Sequence, residues 1–207
     1  MKHLLWIAAC VAACACSKPE PAAPAASAAP PAVEASHSTA SGSVSGRITT
    51  SGTAVVVLEP KTTRTFGAPD EKPVMDQAGL TFGPELLLVR TGYPVEFRNS
   101  DDTLHNVRVS HEETRASAFN VAIPTGEAYT YTFERDGFYR VGCDIHPAMA
   151  ASVFAASSPF ATLAGADGSF TFADVPSGAW SVIAYVGGKR LQKDIAVAGA
   201  VTNVTVE

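Results

Sequence analysis

The chain has 207 residues, 46% of them hydrophobic, and its 15 basic and 20 acidic residues leave a net charge of -5. That length holds one or two domains. Without a basic excess there is no electrostatic footprint for nucleic acid, which argues against that class of partner. The four cysteines are Cys10, Cys14, Cys16 and Cys143. Three lie within the first 16 residues, so the body of the chain carries one lone thiol. A lone thiol in an exported protein has no internal disulfide partner and is prone to oxidation. It is either an inert buried residue or occupied by a ligand.

The N-terminal segment reads as a targeting sequence. After Lys2 and His3, an apolar run from Leu4 to Ala13 ends in small residues. It is too short to span a bilayer as a helix and fits a signal-peptide core. Val11-Ala12-Ala13-Cys14 resembles a bacterial lipobox, with Ala13-Cys14-Ala15-Cys16 as the alternative, so Cys14 (or Cys16) is the expected lipidation site. Several acyl chains on that cysteine would anchor the protein stably. The expected location is the periplasmic side of a bacterial envelope. Neither cysteine is followed by Asp, which by resemblance to Gram-negative lipoproteins favours the outer membrane. Residues 17–42 are almost wholly Ala, Pro, Ser and Glu, a composition that cannot bury enough apolar surface to order itself and reads as a tether.

From Val44 onward the pattern is β throughout. Val44 to Ile48 alternates, Val55 to Leu58 is a continuous apolar run, and Glu85 to Val89 contains another, Leu86 to Val89. Tyr93, Val95 and Phe97 alternate with polar residues, as do Val107 and Val109, then Tyr129, Tyr131 and Phe133. Phe138 to Val141 leads into Cys143, and Val153-Phe154 follows. Further alternation recurs at Phe170 and Phe172, at Trp180 to Val186, at Ile195 to Val197 and at Val201 to Val206. Asp136-Gly137, Asp167-Gly168, Ser177-Gly178 and Gly187-Gly188 punctuate the strands as turns. Short strands at this spacing predict β-sandwiches.

The chemistry concentrates in Cys143-Asp144-Ile145-His146-Pro147-Ala148-Met149, which places a thiolate, an imidazole and a thioether three residues apart. A second imidazole lies upstream at His105. Soft sulfur with imidazole selects copper, and two His and a Cys with a weak axial Met describe a blue-copper site. Zinc fits less well, because thioether is a poor zinc ligand, and C-x-x-C-H for covalent haem is absent. Pro147 stiffens the loop that must curl around one ion. His111 reads as a surface histidine, Met75 as packing, and Asp101 and Asp102 as a solvated turn.

On these residues, the stretch from about Val74 to Ala156 resembles cupredoxins, and its C-x2-H-x2-M loop is similar to that of the amicyanin and pseudoazurin group. The resemblance implies His105, Cys143, His146 and Met149 as ligands of one type 1 copper. It implies Asn106 as a brace behind the Cys-bearing loop and His146 as the ligand nearest solvent. Asp144 departs from the Thr or Ser usual next to the ligand Cys, a change expected to lower the potential or weaken the bond to Asn106.

The C-terminal part resembles a different family. Asp167-Gly168-Ser169-Phe170 followed by Pro176-Ser177-Gly178-Ala179-Trp180 is similar to the carboxypeptidase regulatory-like, transthyretin-like β-sandwich. That fold opens with a G-x-V-x-G-x-V strand, and Gly42-Ser43-Val44-Ser45-Gly46-Arg47-Ile48 fits it ahead of the copper-binding stretch. The expected fold is all-β: a cupredoxin Greek-key β-sandwich over 62–157, inserted in a transthyretin-like sandwich made of 43–61 and 158–207. Two sequential domains or one enlarged cupredoxin are the alternatives. The combination resembles methylamine-utilisation-type lipoproteins. It implies a monomeric, membrane-anchored one-electron carrier, not an enzyme, exchanging electrons with envelope cytochromes or dehydrogenases. A copper-trafficking protein, or an envelope interaction module with structural copper, are the other readings.

Overall fold

The computed structural model describes residues 40–207. The signal segment, both candidate lipidation cysteines (Cys14 and Cys16) and nearly all of the tether lie outside the described residues. The described chain is all-β. Strands β1 (Ser41–Ile48) and β2 (Ala54–Pro60) come first. Then follow β3 (Val74–Ala78), β4 (Thr81–Gly83), β5 (Leu86–Arg90), β6 (Pro94–Asn99) and β7 (His105–His111). Next are β8 (Ser117–Ile123), β9 (Ala128–Thr132), β10 (Gly137–Gly142) and β11 (Ala150–Ala156). The last five are β12 (Ala161–Leu163), β13 (Ser169–Pro176), β14 (Gly178–Val186), β15 (Lys189–Val197) and β16 (Val201–Val206). Among the described residues no helix is long and apolar enough to cross a membrane.

The sixteen strands form four sheets. Sheets β4-β3-β6-β9 and β5-β11-β10-β7-β8 come wholly from the middle of the chain. They enclose a core of Met75, Phe97, Val107, Val109, Phe133, Tyr139, Val141 and Val153. Sheets β13-β1-β16 and β12-β2-β14-β15 draw on both ends of the described chain. They enclose Val44, Val56, Leu58, Phe170, Phe172, Trp180, Val182 and Val204.

A third apolar cluster joins the two sandwiches. Val55, Val57, Ile183 and Tyr185 from β2 and β14 meet Leu86, Leu88, Phe138, Phe154 and Ala156 from β5, β10 and β11. The rings of Phe138, Phe154 and Tyr185 close a triangle, with centroids 4.7, 5.5 and 5.3 Å apart. This explains the unbroken apolar run in β2: its alternate side chains enter two different cores, so neither face meets water.

The glycines of β1 have a steric reason. A Cβ on Gly42 would stand 2.5 Å from the Ala200 carbonyl oxygen, and one on Gly46 the same distance from that of Val204 and against the Phe170 ring. Strands β13 and β16 therefore close on β1 only over bare backbone.

Strand β8 is not evident in the sequence. Only Phe119 and Ile123 of its seven residues are buried, so its alternation is faint, and its place comes from pairing with β7. Strand β15 extends over Lys189-Arg190-Leu191-Gln192-Lys193-Asp194, a polar stretch tolerated because it forms a sheet edge.

Candidate metal centre

Antiparallel pairing of β7 with β10 sets Arg108 opposite Gly142 and Val109 opposite Val141. The same register brings His105 and Asn106, at the start of β7, beside the loop that leaves β10. The loop is closed at its base: Cys143 N–H donates to the Met149 carbonyl at 3.3 Å, and Met149 N–H donates to the His146 carbonyl at 2.9 Å. His105, Cys143 and Met149 are buried, and His146 is half-buried at the surface end of the group.

The structure brings His105, Cys143 and His146 together as a group able to hold a metal ion. Cys143 Sγ lies 3.8 Å from His105 Nδ1 and 3.9 Å from His146 Nδ1, and the two Nδ1 atoms are 2.9 Å apart. Bonds of about 2.0 Å to imidazole and about 2.3 Å to thiolate place N and S donors of a trigonal ion about 3.7 Å apart. Both observed N···S separations match. Met149 belongs to the same loop, with its side chain in the core beside Cys143.

Electrostatics define the donor atoms. His105 Nε2 is 2.8 Å from Asp101 Oδ2. A carboxylate there accepts a hydrogen bond from Nε2–H, which keeps the ring proton on Nε2 and leaves the Nδ1 lone pair facing Cys143 and His146. The two Nδ1 atoms face each other at 2.9 Å, close enough to share a proton or a metal ion. A thiolate with two imidazoles is a donor set that selects a soft ion such as copper.

Asp101 corrects the sequence reading, which left it in a solvated turn. Its Oδ1 accepts from Gly79 N–H at 2.5 Å and its Oδ2 from Leu80 N–H at 3.0 Å. The Leu80 amide first, then the His105 ring, holds its carboxyl below the usual carboxylate range. The available signal was the i, i+4 spacing of Asp101 and His105 ahead of a strand, which alone is too common to single out.

Asn106 is hydrogen-bonded to the loop. Its Oδ1 accepts from Asp144 N–H at 2.7 Å and Ile145 N–H at 3.3 Å, and from the Cys143 thiol at 3.3 Å. Asp144 adds to this brace, contrary to the expectation that it weakens it. Its Oδ2 accepts from Asn106 Nδ2 at 3.1 Å and Asn120 Nδ2 at 3.0 Å, while Oδ1 accepts from Arg108 Nε at 2.7 Å. The Arg108 guanidinium, then Asn120, holds the Asp144 carboxyl below its ordinary range.

His111 is a second correction. It is 7% exposed, lies edge-on to Tyr139 at 4.9 Å, and accepts a bond from Thr114 N–H at Nδ1. It is a core histidine at the far end of β7 from His105. Met75 is fully buried packing, as read from the sequence.

Residues 70–155 match the family described as copper binding proteins, plastocyanin/azurin family. The middle sandwich is a cupredoxin-like domain. Among solved structures, a reduced amicyanin variant is 27% identical, covering 43% of this chain and 86% of its own at a TM-score of 0.38. A purple cupredoxin from Nitrosopumilus maritimus is 21% identical, covering 41% of this chain and 100% of its own at 0.37. A Cu-containing nitrite reductase from Thermus scotoductus is 25% identical, covering 47% of this chain but 25% of its own at 0.38. No curated protein matches the chain.

Proposed function

We propose that this protein is a one-electron carrier whose cupredoxin-like domain holds a single type 1 copper through His105, Cys143, His146 and Met149. The observation that carries this reading is the convergence of His105 Nδ1, Cys143 Sγ and His146 Nδ1 from two paired strands and one closed loop. Bound copper supplies the one-electron Cu(II)/Cu(I) couple.

The protein's own contribution is geometry. Asp101 fixes the His105 ring, Asn106 fixes the loop, and the buried positions of His105, Cys143 and Met149 keep water from the donors. Ligands held in place by packing and hydrogen bonds reorganise little between oxidation states, which suits electron transfer. His146 reaches the surface between exposed Ile145, Pro147 and Ala148, the natural exit for an electron.

The remaining features of the reading rest on sequence. The lipobox-like segment supports an anchored protein on the periplasmic side of a bacterial envelope, with residues 17–42 as its tether. The Gly42–Ile48, Asp167–Phe170 and Pro176–Trp180 motifs support a carboxypeptidase regulatory-like sandwich that the cupredoxin-like domain interrupts. The reading takes the protein as a monomer that exchanges electrons with envelope cytochromes or dehydrogenases.

The test is an optical and EPR spectrum of copper-loaded protein. An intense thiolate-to-copper charge-transfer band, lost in Cys143→Ala, is expected. A colourless protein after full loading, or a band that survives Cys143→Ala, overturns the reading.

A further inference from the structure

The outer face of sheet β5-β11-β10-β7-β8 is divided. The half carrying Phe138, Phe154 and Ala156 is covered by the second sandwich. The half next to the ligand loop has two rows across β7, β10 and β11: Arg108, Gly142 and Ala150, then Ser110, Arg140 and Ser152. These side chains leave a hollow of about 580 Å³, rimmed by Arg108, Arg115 and Arg140 and floored by the small residues. Cys143, Asp144, Pro147 and Met149 line it as well, so it abuts the metal centre directly.

An adjoining hollow of about 460 Å³ shares Ser152 and runs beneath the β14–β15 turn, where Gly187, Gly188 and Lys189 form its wall. Four cationic side chains and two carboxylates, Asp144 and Glu112, thus line these adjoining hollows, a local cationic excess in a chain whose net charge is -5. Arg108 pairs with Asp144 and Arg140 with Glu112, but these side chains are 44–60% exposed. Solvent screens such pairs, which exchange readily for an incoming carboxylate. Arg115 and Lys189 form no ion pair among the described residues.

We infer that this hollow is the docking site of an acidic redox protein. A carboxylate-bearing projection seats on Arg108, Arg115 and Arg140 under the Lys189 turn, and its own redox centre then lies against the 143–149 loop. Complementary charge raises the encounter rate and fixes orientation. The second sandwich acquires a role in this arrangement, because its β14–β15 turn forms one wall of the site. The inference rests on the electron-carrier reading.

The test uses reduced, copper-loaded protein oxidised by hexacyanoferrate(III), a small anionic probe, with tris(1,10-phenanthroline)cobalt(III) as the cationic control. The anionic rate should fall with rising salt, and should drop about fivefold in Arg115→Gln/Arg140→Gln/Lys189→Gln. Arg47→Gln, on the far sheet of the second sandwich, makes a single charge change remote from the hollow and should leave that rate unaltered. A fluorescent hexaglutamate peptide should bind the parent protein at low salt and not the triple variant. An unchanged charge-transfer band in the variant shows that it is folded and loaded. An unchanged oxidation rate in the triple variant, or equal loss in Arg47→Gln, overturns the docking site while leaving the copper reading intact. A salt-sensitive dimer that the triple variant abolishes would assign the hollow to a second copy and overturn the redox-partner inference. Absence of the band in the parent protein would instead sink the copper reading itself.

Discussion

Asp101 Oδ2 stands 2.8 Å from His105 Nε2, on the side of the ring opposite the nitrogen that faces Cys143. The carboxylate fixes the tautomer and the rotation of the most deeply buried imidazole of the group. Two backbone amides of the β3–β4 turn hold the carboxylate in its turn. Asp101→Ala should therefore weaken copper binding about 10- to 100-fold, measured by competition with a chelator. Asp101→Asn retains an acceptor oxygen and should lose less. Equal affinity in all three proteins would show that the contact orients nothing.

Asn106 accepts from two loop amides, those of Asp144 and Ile145. A hydrogen bond of this kind contributes about 0.5–1.5 kcal/mol net. Asn106→Ala should lower the unfolding free energy of the metal-free protein by about 2 kcal/mol, read by urea denaturation. It should also broaden the EPR signal of the loaded protein, because the loop loses its fixed conformation. A stability within error of the parent would remove Asn106 from the brace.

The joint between the sandwiches is a packing interface, and Phe154 lies at its centre, 2% exposed and in contact with Phe138 and Tyr185. Phe154→Ala should destabilise the protein by about 3–5 kcal/mol by thermal or denaturant unfolding. The charge-transfer band should persist below the transition, because the neighbouring residues Val153 and Ala155 still fill the metal-side core. A loss of copper without a loss of stability would contradict this division of labour.

Asp194 gives the molecule an acid-sensitive contact remote from the metal. Lys61 foremost, with Ser181 and Gln192, pulls its carboxyl from 3.8 down to about 2. A carboxyl depressed in the folded state stabilises above its unfolded value and loses that contribution as pH falls through its folded one. Asp194→Asn should therefore be less stable than the parent at about pH 6, with the gap closing between about pH 4 and pH 2. The effect is small because the pair is exposed. A stability difference that does not change over that range would mean the carboxylate is not the source.

The sequence alone determined the donor chemistry, because thiolate, imidazole and thioether at three-residue spacing occur together only in the 143–149 loop. It also determined the β character of the body, since strands with one buried face impose a period of two on the chain. The apolar run of β2 showed that this strand is buried, but not that its two faces serve different cores. Only the tertiary structure decided that, because which face meets which sheet depends on pairing across distant segments. For the same reason the roles of Asp101, His111 and Asp144 emerged only in three dimensions. A carboxylate in a turn and a histidine on a strand have no local mark of their partners. What fixed them was the β7–β10 register and the closure of the β3–β4 turn over Asp101.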